Sequence, residues 1–183
     1  MQIELWLHLL AFATYVGATV AVILICLPLA RAEQDPHRRL RLAAATMRVY
    51  DPLTIAALGV LVMTGAFNLT AYKAALRDLF FARLGSTLAW KLLLSFLLIN
   101  LAAYIAFGLG HRIVRSADDP SSMDPKRLDR ILVRLRWSAL VALVLAAAIA
   151  WIALRMGPLA WPLPDTPGVP QPPTAAAGPP PLV

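Results

Sequence analysis

The chain has 183 residues, of which 60% are apolar or aromatic and only 15% are charged, so it is far more apolar than an average soluble domain. This composition argues against a single water-soluble globule and favours a protein embedded in a lipid bilayer. The net charge is +7, from 17 basic and 10 acidic residues, and the single cysteine, Cys26, excludes an internal disulfide framework and a cysteine-rich zinc site.

Four apolar segments are long enough to cross a membrane, because a helix of about 20 residues spans the ~30 Å hydrocarbon core of a bilayer. They run from about Leu5 to Ala30, Pro52 to Tyr72, Leu84 to Leu109 and Trp137 to Leu154. The first is longer than the ~7–15 apolar residues of a signal peptide and has no basic residue before it, so we expect it to be retained. The sequence predicts an all-α, integral membrane four-helix bundle over residues 1–156.

Basic residues are concentrated in two of the connecting regions. Residues 31–51 contain five arginines and residues 110–136 contain seven basic residues, whereas the connection between segments two and three contains three and the last flank contains only Arg155. Because basic residues near span ends are retained in the cytoplasm, we expect both of those loops to be cytoplasmic and both termini exterior. The loops lack interleaved aromatic residues, so we expect contacts with membrane lipids and not with nucleic acid.

Residues 157–183 differ sharply from the rest of the chain. They contain ten prolines, and their only charged residue is Asp165. A segment of this composition cannot bury enough apolar surface to offset its ordering entropy, so it predicts an exterior, extended and disordered tail. The alternative is an arm that binds other subunits of a membrane complex.

Two ionisable residues stand inside the apolar segments, where a charge is costly and usually marks a functional site. His8 lies near the exterior end of the first segment and Lys91 near the exterior end of the third, at similar depths, so we expect them to face each other inside the bundle. The alternative is that His8 is an interfacial anchor and that Lys91 extends to the surface along its stem.

Four further residues are expected in the same outer layer. Thr64 and Asn68 are four residues apart and share a helix face, and Met63 and Met156 would bring thioether sulfur to a similar depth. The methionines are otherwise explained by packing and the asparagine by interhelical hydrogen bonding. The other histidines, His37 and His111, belong to the opposite end of the bundle, so they cannot complete a coordination sphere with His8.

Three stretches suggest a family. LWLHLLAFATYVGA near the start, LVMTGAFNL at 61–69 and LGSTLAWKLLLSFLLINLAAY at 84–104 resemble the helices of CopD-type copper-resistance membrane domains. The four-helix length and the arginine-rich loops are also similar to HemJ, a membrane protein associated with protoporphyrinogen oxidation, whose first-span histidine and third-span lysine match His8 and Lys91. The resemblance implies a multi-pass protein of the bacterial inner membrane.

The resemblance leaves three functions open, and with them the question of whether the protein is an enzyme. The first, which the resemblance favours, is copper handling at the outer face through His8, Met63 and Met156, since imidazole and thioether ligands suit copper. The second is a haem-binding oxidoreductase, with His8 as axial ligand, Lys91 as second ligand or partner of a porphyrin carboxylate, and Thr64 and Asn68 lining the cofactor site. The third is a non-catalytic subunit of a larger membrane complex.

Overall fold

The computed structural model describes residues 2–76, 79–119 and 125–160, and apart from short connections this part of the chain is helical. The elements are α1 (Gln2–Ala21), π1 (Val22–Cys26), α2 (Leu27–Ala32), α3 (Pro36–Leu76), α4 (Leu79–Ala103), π2 (Tyr104–Gly110), α5 (His111–Asp118) and α6 (Pro125–Ala160). We name α1–π1–α2 span 1, α3 span 2, α4–π2–α5 span 3 and α6 span 4. The predicted all-α four-helix bundle is confirmed.

All four spans are long and apolar enough to cross a membrane. The qualifying ranges are Ile3–Ala32, Pro36–Thr70, Gly85–Asp118 and Lys126–Arg155. The chain is therefore built as a multi-pass membrane protein. The range in span 2 has 35 residues and is about 52 Å long at ~1.5 Å per residue, which exceeds the thickness of the hydrocarbon core, so part of the bundle extends beyond it.

The regions expected as basic loops are mostly helical, which corrects the sequence-based boundaries. Within residues 31–51 only Glu33–Asp35 breaks the helix, and within 110–136 helix covers all the described residues except Asp119. Asp35 caps the new start of α3, because its carboxylate accepts a hydrogen bond from the His37 amide at 3.0 Å and Pro36 occupies the first helical position. Near the C-terminus α6 continues to Ala160, four residues into the predicted proline-rich tail. The rest of that tail, 161–183, lies outside the described residues.

The four spans form a bundle in which chain neighbours are also neighbours in space. Span 1 packs mainly against span 2, span 3 packs about equally against spans 2 and 4, and span 4 returns to contact span 1. Spans 1 and 3 lie diagonally across the bundle and touch each other little. We call the end that carries the 32–36 and 118–125 connections the arginine-rich end, and the opposite end the terminal end.

The tightest packing is found toward the arginine-rich end. Ile113, Leu132, Met47 and Leu135 are at most 1% exposed and belong to one apolar core. Two ion pairs join helices there: Arg39 with Asp129, and Arg48 with Asp118 at 2.6 Å. Water drives apolar side chains together, whereas lipid tails do not, so a tightly packed apolar core is expected where charged residues put helices in water.

The terminal end is more open. Among the described residues, the buried positions closest to that end are Ala11 on span 1, Thr64 on span 2, Leu98 on span 3 and Ala146 on span 4. Beyond this level every described side chain is partly or largely exposed. The bundle therefore loosens toward the end that carries the predicted polar layer.

Two π-helical segments interrupt the spans. In π1 the Leu27 amide bonds to the Val22 carbonyl, and after π2 the His111 amide bonds to the Ala106 carbonyl, each one residue further back than in an α-helix. Pro28 follows π1 directly and has no amide hydrogen to donate to the Leu24 carbonyl, which accounts for the altered pattern there.

Candidate functional site

His8 lies on the inward face of α1. It shares this face with Ala11, Tyr15 and Thr19, which are at most 7% exposed and follow it at the spacing of a helical stripe. Trp6, on the other side of the helix, is 72% exposed. His8 is only half-buried because it occupies the open terminal end of this stripe.

A hydrogen bond to span 2 orients the His8 imidazole. His8 Nδ1 lies 2.7 Å from Thr64 Oγ1, and the Thr64 hydroxyl donates its one proton to the Val60 carbonyl at 2.6 Å. The hydroxyl can then only accept from the ring, so Nδ1 carries the imidazole hydrogen. Nε2 is left with a free lone pair. A ring N–H bonded in this way is the usual support of a histidine that binds a metal through its other nitrogen.

A glycine keeps space beside the imidazole. The ring carbon Cε1 of His8 would be the nearest atom to a Cβ added at Gly65, at 3.8 Å. Asn68, one turn beyond Thr64 on the same helix, is partly buried. Thr64, Gly65 and Asn68 thus present small or polar groups toward this region of the bundle.

Lys91 reaches the same level from span 3. It is half-buried on the face that also carries Ser95 and the buried Leu98, whereas its neighbours Trp90 and Leu92 are 60% and 53% exposed. The ammonium group is within electrostatic reach of the imidazole. No acidic partner of Lys91 is found among the described side chains.

Met63 does not join this group. Met63 is 61% exposed and projects from the outer surface of α3, because it is one residue, about 100° of helical rotation, away from the buried Thr64. The side chain of Met156 lies outside the described residues. The structure therefore brings together His8, Thr64 and Lys91, with Asn68 one turn away, and does not bring Met63 to His8.

Reasoning from the sequence missed a second polar group, deeper in the bundle. The Tyr50 hydroxyl lies 3.2 Å from Thr19 Oγ1, the Tyr15 hydroxyl is buried without a hydrogen-bond partner among the described residues, and Asp51 is packed against Gly110. The signal was the Tyr50–Asp51 pair directly before Pro52. The apolar segment predicted from the sequence begins at that proline, so the pair lies outside it.

Comparison of the chain with known protein families, with curated proteins and with solved structures finds no match. The similarity to CopD and HemJ therefore remains a prediction. Within the described residues, no group of three or more His, Cys, Asp or Glu side chains could hold a metal ion.

Proposed function

We propose that the protein binds a b-type haem at the terminal end of the bundle, with His8 as axial ligand of the iron. The observation that carries this proposal is the hydrogen bond from His8 Nδ1 to Thr64, which leaves Nε2 free to ligate. A single oriented imidazole supplies too few ligands for a bare metal ion, but it is sufficient for an iron whose other ligands come from a porphyrin.

The surroundings of His8 suit a large, flat and mostly apolar cofactor. The diagonal pair of spans that carries His8 and Lys91 makes few direct contacts, and no described apolar side chain is fully buried at this level. Gly65 leaves open the region next to the imidazole. A porphyrin inserted here would cover apolar surface that the protein alone leaves exposed, which stabilises the complex.

Lys91 has two chemical uses at such a site. Its ammonium can pair with a porphyrin carboxylate, or its neutral amine can serve as the second axial ligand. Thr64 holds the imidazole orientation, and Asn68 offers an amide to a polar edge of the cofactor. Bound haem would supply one-electron redox chemistry, so the proposed class is a haem-binding membrane oxidoreductase.

The location follows from the basic residues of the arginine-rich end. We propose that this end faces the cytoplasm of a bacterium and that both termini lie outside its inner membrane. The five arginines of residues 31–51 and the seven basic residues of 110–136 support this orientation. His8 and Lys91 would then lie near the exterior face.

The absorption spectrum of the protein extracted from haem-replete cells tests the proposal. We expect a Soret band, its loss in His8→Ala, and its retention in His111→Ala, a matched control that removes an exposed histidine at the other end of the bundle. Lys91→Ala should shift or weaken the band. A colourless protein, or a band that survives His8→Ala, would contradict haem ligation by His8.

Copper handling is the second candidate, because the same free Nε2 suits copper. The outward direction of Met63 removes one of the three ligands that this function would use. Metal analysis after copper loading distinguishes the two functions. Copper bound by the unchanged protein and lost in His8→Ala, without a Soret band in either, would favour copper over haem.

A further inference from the structure

We propose that Asp51 is a proton-binding carboxyl group in the interior of the bundle, held neutral between spans 2 and 3. The residue lies within the range of α3 that qualifies as a membrane span, far from the His8 site. The proposal is independent of haem or copper binding.

The first observation is the position of the carboxyl group. A Cβ added at Gly110 would overlap both Asp51 carboxyl oxygens, so the carboxyl group occupies the space that the missing side chain of Gly110 leaves. Oδ1 is buried and has no hydrogen-bond partner among the described residues. Gly110 closes π2, and π-helical segments of this kind occur frequently at functional sites.

The second observation is that the expected counter-ion is engaged elsewhere. Arg48 is one turn before Asp51 on the same helix, at a spacing that commonly allows an ion pair. Its guanidinium group instead bonds Asp118 at 2.6 Å on the exposed side of the bundle. The other ion pairs found in the described part of the chain join Arg38 to Asp35 and Arg39 to Asp129, so none of them reaches Asp51.

The helices packed around Asp51 supply no other positive charge. Tyr50 is adjacent to Asp51 on α3 itself. The buried face of span 3 at this level consists of Ile105, Ala106, Leu109, Gly110 and Ile113, and that of α6 of Leu132, Leu135 and Ala139. His111 and the arginines next to it are exposed.

A buried carboxylate without a counter-charge is much more costly than a neutral carboxylic acid, which keeps its proton and can also donate a hydrogen bond. The neutral form is therefore the one this environment favours. The preceding residue, Tyr50, bears a hydroxyl group that is paired with Thr19 of span 1.

Thermal unfolding of the full chain in detergent between about pH 5 and about pH 8 tests the proposal, because the linked fall in stability begins above pH ~4, where an unfolded aspartate loses its proton, and ends where the folded group loses its own. Because the folded protein holds a proton that the unfolded chain releases, we expect the Tm of the unchanged protein to fall by several degrees as pH rises. Asp51→Asn should abolish this fall, whereas Asp129→Asn, which removes an exposed acid whose partner Arg39 is three turns away from Asp51, should retain it. An unchanged pH dependence in Asp51→Asn, or a loss of stability in that variant at low pH, would overturn the proposal.

An infrared measurement on the unchanged protein covers the case in which Asp51→Asn does not fold. With carboxyl-labelled aspartate at about pH 6.5, water-exposed aspartates are ionised, so a protonated aspartate band reports a buried neutral group. We expect one such band, which disappears at high pH and persists in His8→Ala. Its absence would overturn the proposal, and its persistence in His8→Ala shows that the result does not depend on the cofactor site.

Discussion

The hydrogen bonds of single side chains decide what the polar residues of this bundle can do. Thr64 is the clearest case, because its hydroxyl accepts from His8 and donates to the Val60 carbonyl, which leaves one tautomer of the imidazole. The same reasoning applies to Thr19, whose hydroxyl donates to the Tyr15 carbonyl at 2.8 Å and so accepts from Tyr50.

Replacing Thr64 tests the role of the imidazole orientation. Thr64→Val keeps the shape of the side chain but removes the acceptor for Nδ1–H, and loss of such a supporting group typically costs ~10–100-fold in metal affinity. We expect weaker retention of the ligand bound at His8. Its release is measured by titration with a competing chelator for a metal ion, or with a haem-binding apoprotein for haem. Thr64→Ser retains the hydroxyl and should behave like the unchanged protein; equal weakening in both would show that packing, not the hydrogen bond, matters.

The two buried tyrosines should respond differently to removal of their hydroxyl groups. Tyr50→Phe loses a hydrogen bond to Thr19 and should lower the free energy of unfolding by about 0.5–1.5 kcal/mol. Tyr15→Phe removes a buried hydroxyl that has no partner among the described residues, so it should be neutral or stabilising. Urea or thermal unfolding in mild detergent measures both; a larger loss in Tyr15→Phe would indicate that its hydroxyl bonds a buried water.

At the scale of the elements, the helices continue where the composition predicted loops. Charged residues at 36–50 and 125–136 do not prevent helix formation, because their apolar partners repeat at helical spacing: Leu40, Ala43, Ala44 and Met47 on α3, and Leu128, Ile131, Leu132 and Leu135 on α6. Most of the arginines are exposed on the outer faces of these helices, whereas the Arg39 side chain is only 21% exposed and pairs with Asp129. The arginine-rich end is therefore a packed helical body and not a pair of connecting loops.

Stability of the arginine-rich end should depend on its core much more than on its ion pairs. Leu132→Ala should cost about 2–5 kcal/mol in the free energy of unfolding, because Leu132 is 0% exposed. Breaking the Arg48–Asp118 pair, in which both side chains are more than half exposed, should change it by about 0.2–1 kcal/mol. A double-mutant cycle at 48 and 118 measures the second value, and a coupling larger than the effect of Leu132→Ala would contradict this ranking.

At the scale of the whole molecule, the bundle has two unlike ends. The arginine-rich end is tightly packed and charged, and the terminal end is loosely packed and carries His8 and Lys91. The longest span exceeds the length that a bilayer requires. An orientation with the arginine-rich end in the cytoplasm places the first in water and the second near the exterior face.

Single-cysteine labelling tests this orientation. Cys26 is the only native cysteine, so a Cys26→Ser background carries no other thiol. We expect a membrane-impermeant maleimide added to intact cells to label Ile3→Cys but not Arg38→Cys, and both to be labelled after lysis. Labelling of Arg38→Cys alone in intact cells would reverse the orientation.

The all-α fold class and the four-span membrane architecture could be predicted from the sequence alone. Four apolar segments of sufficient length leave few alternatives to a helical membrane bundle, because only helices and closed barrels satisfy backbone hydrogen bonds in lipid. The rare charges within those segments, His8 and Lys91, were visible as candidate site residues for the same reason: an ionisable side chain is conspicuous where its burial is costly.

Only the tertiary structure decided which side chains meet. Thr64 and Met63 are adjacent in the sequence, yet one bonds His8 and the other faces outward, because helix rotation and not composition selects the inward residue. The site of Asp51 depends on a glycine 59 positions further along the chain, brought alongside it by the packing of spans 2 and 3. The depth of a residue could be counted along one helix, but the direction of its side chain and its partner depend on how several helices pack together.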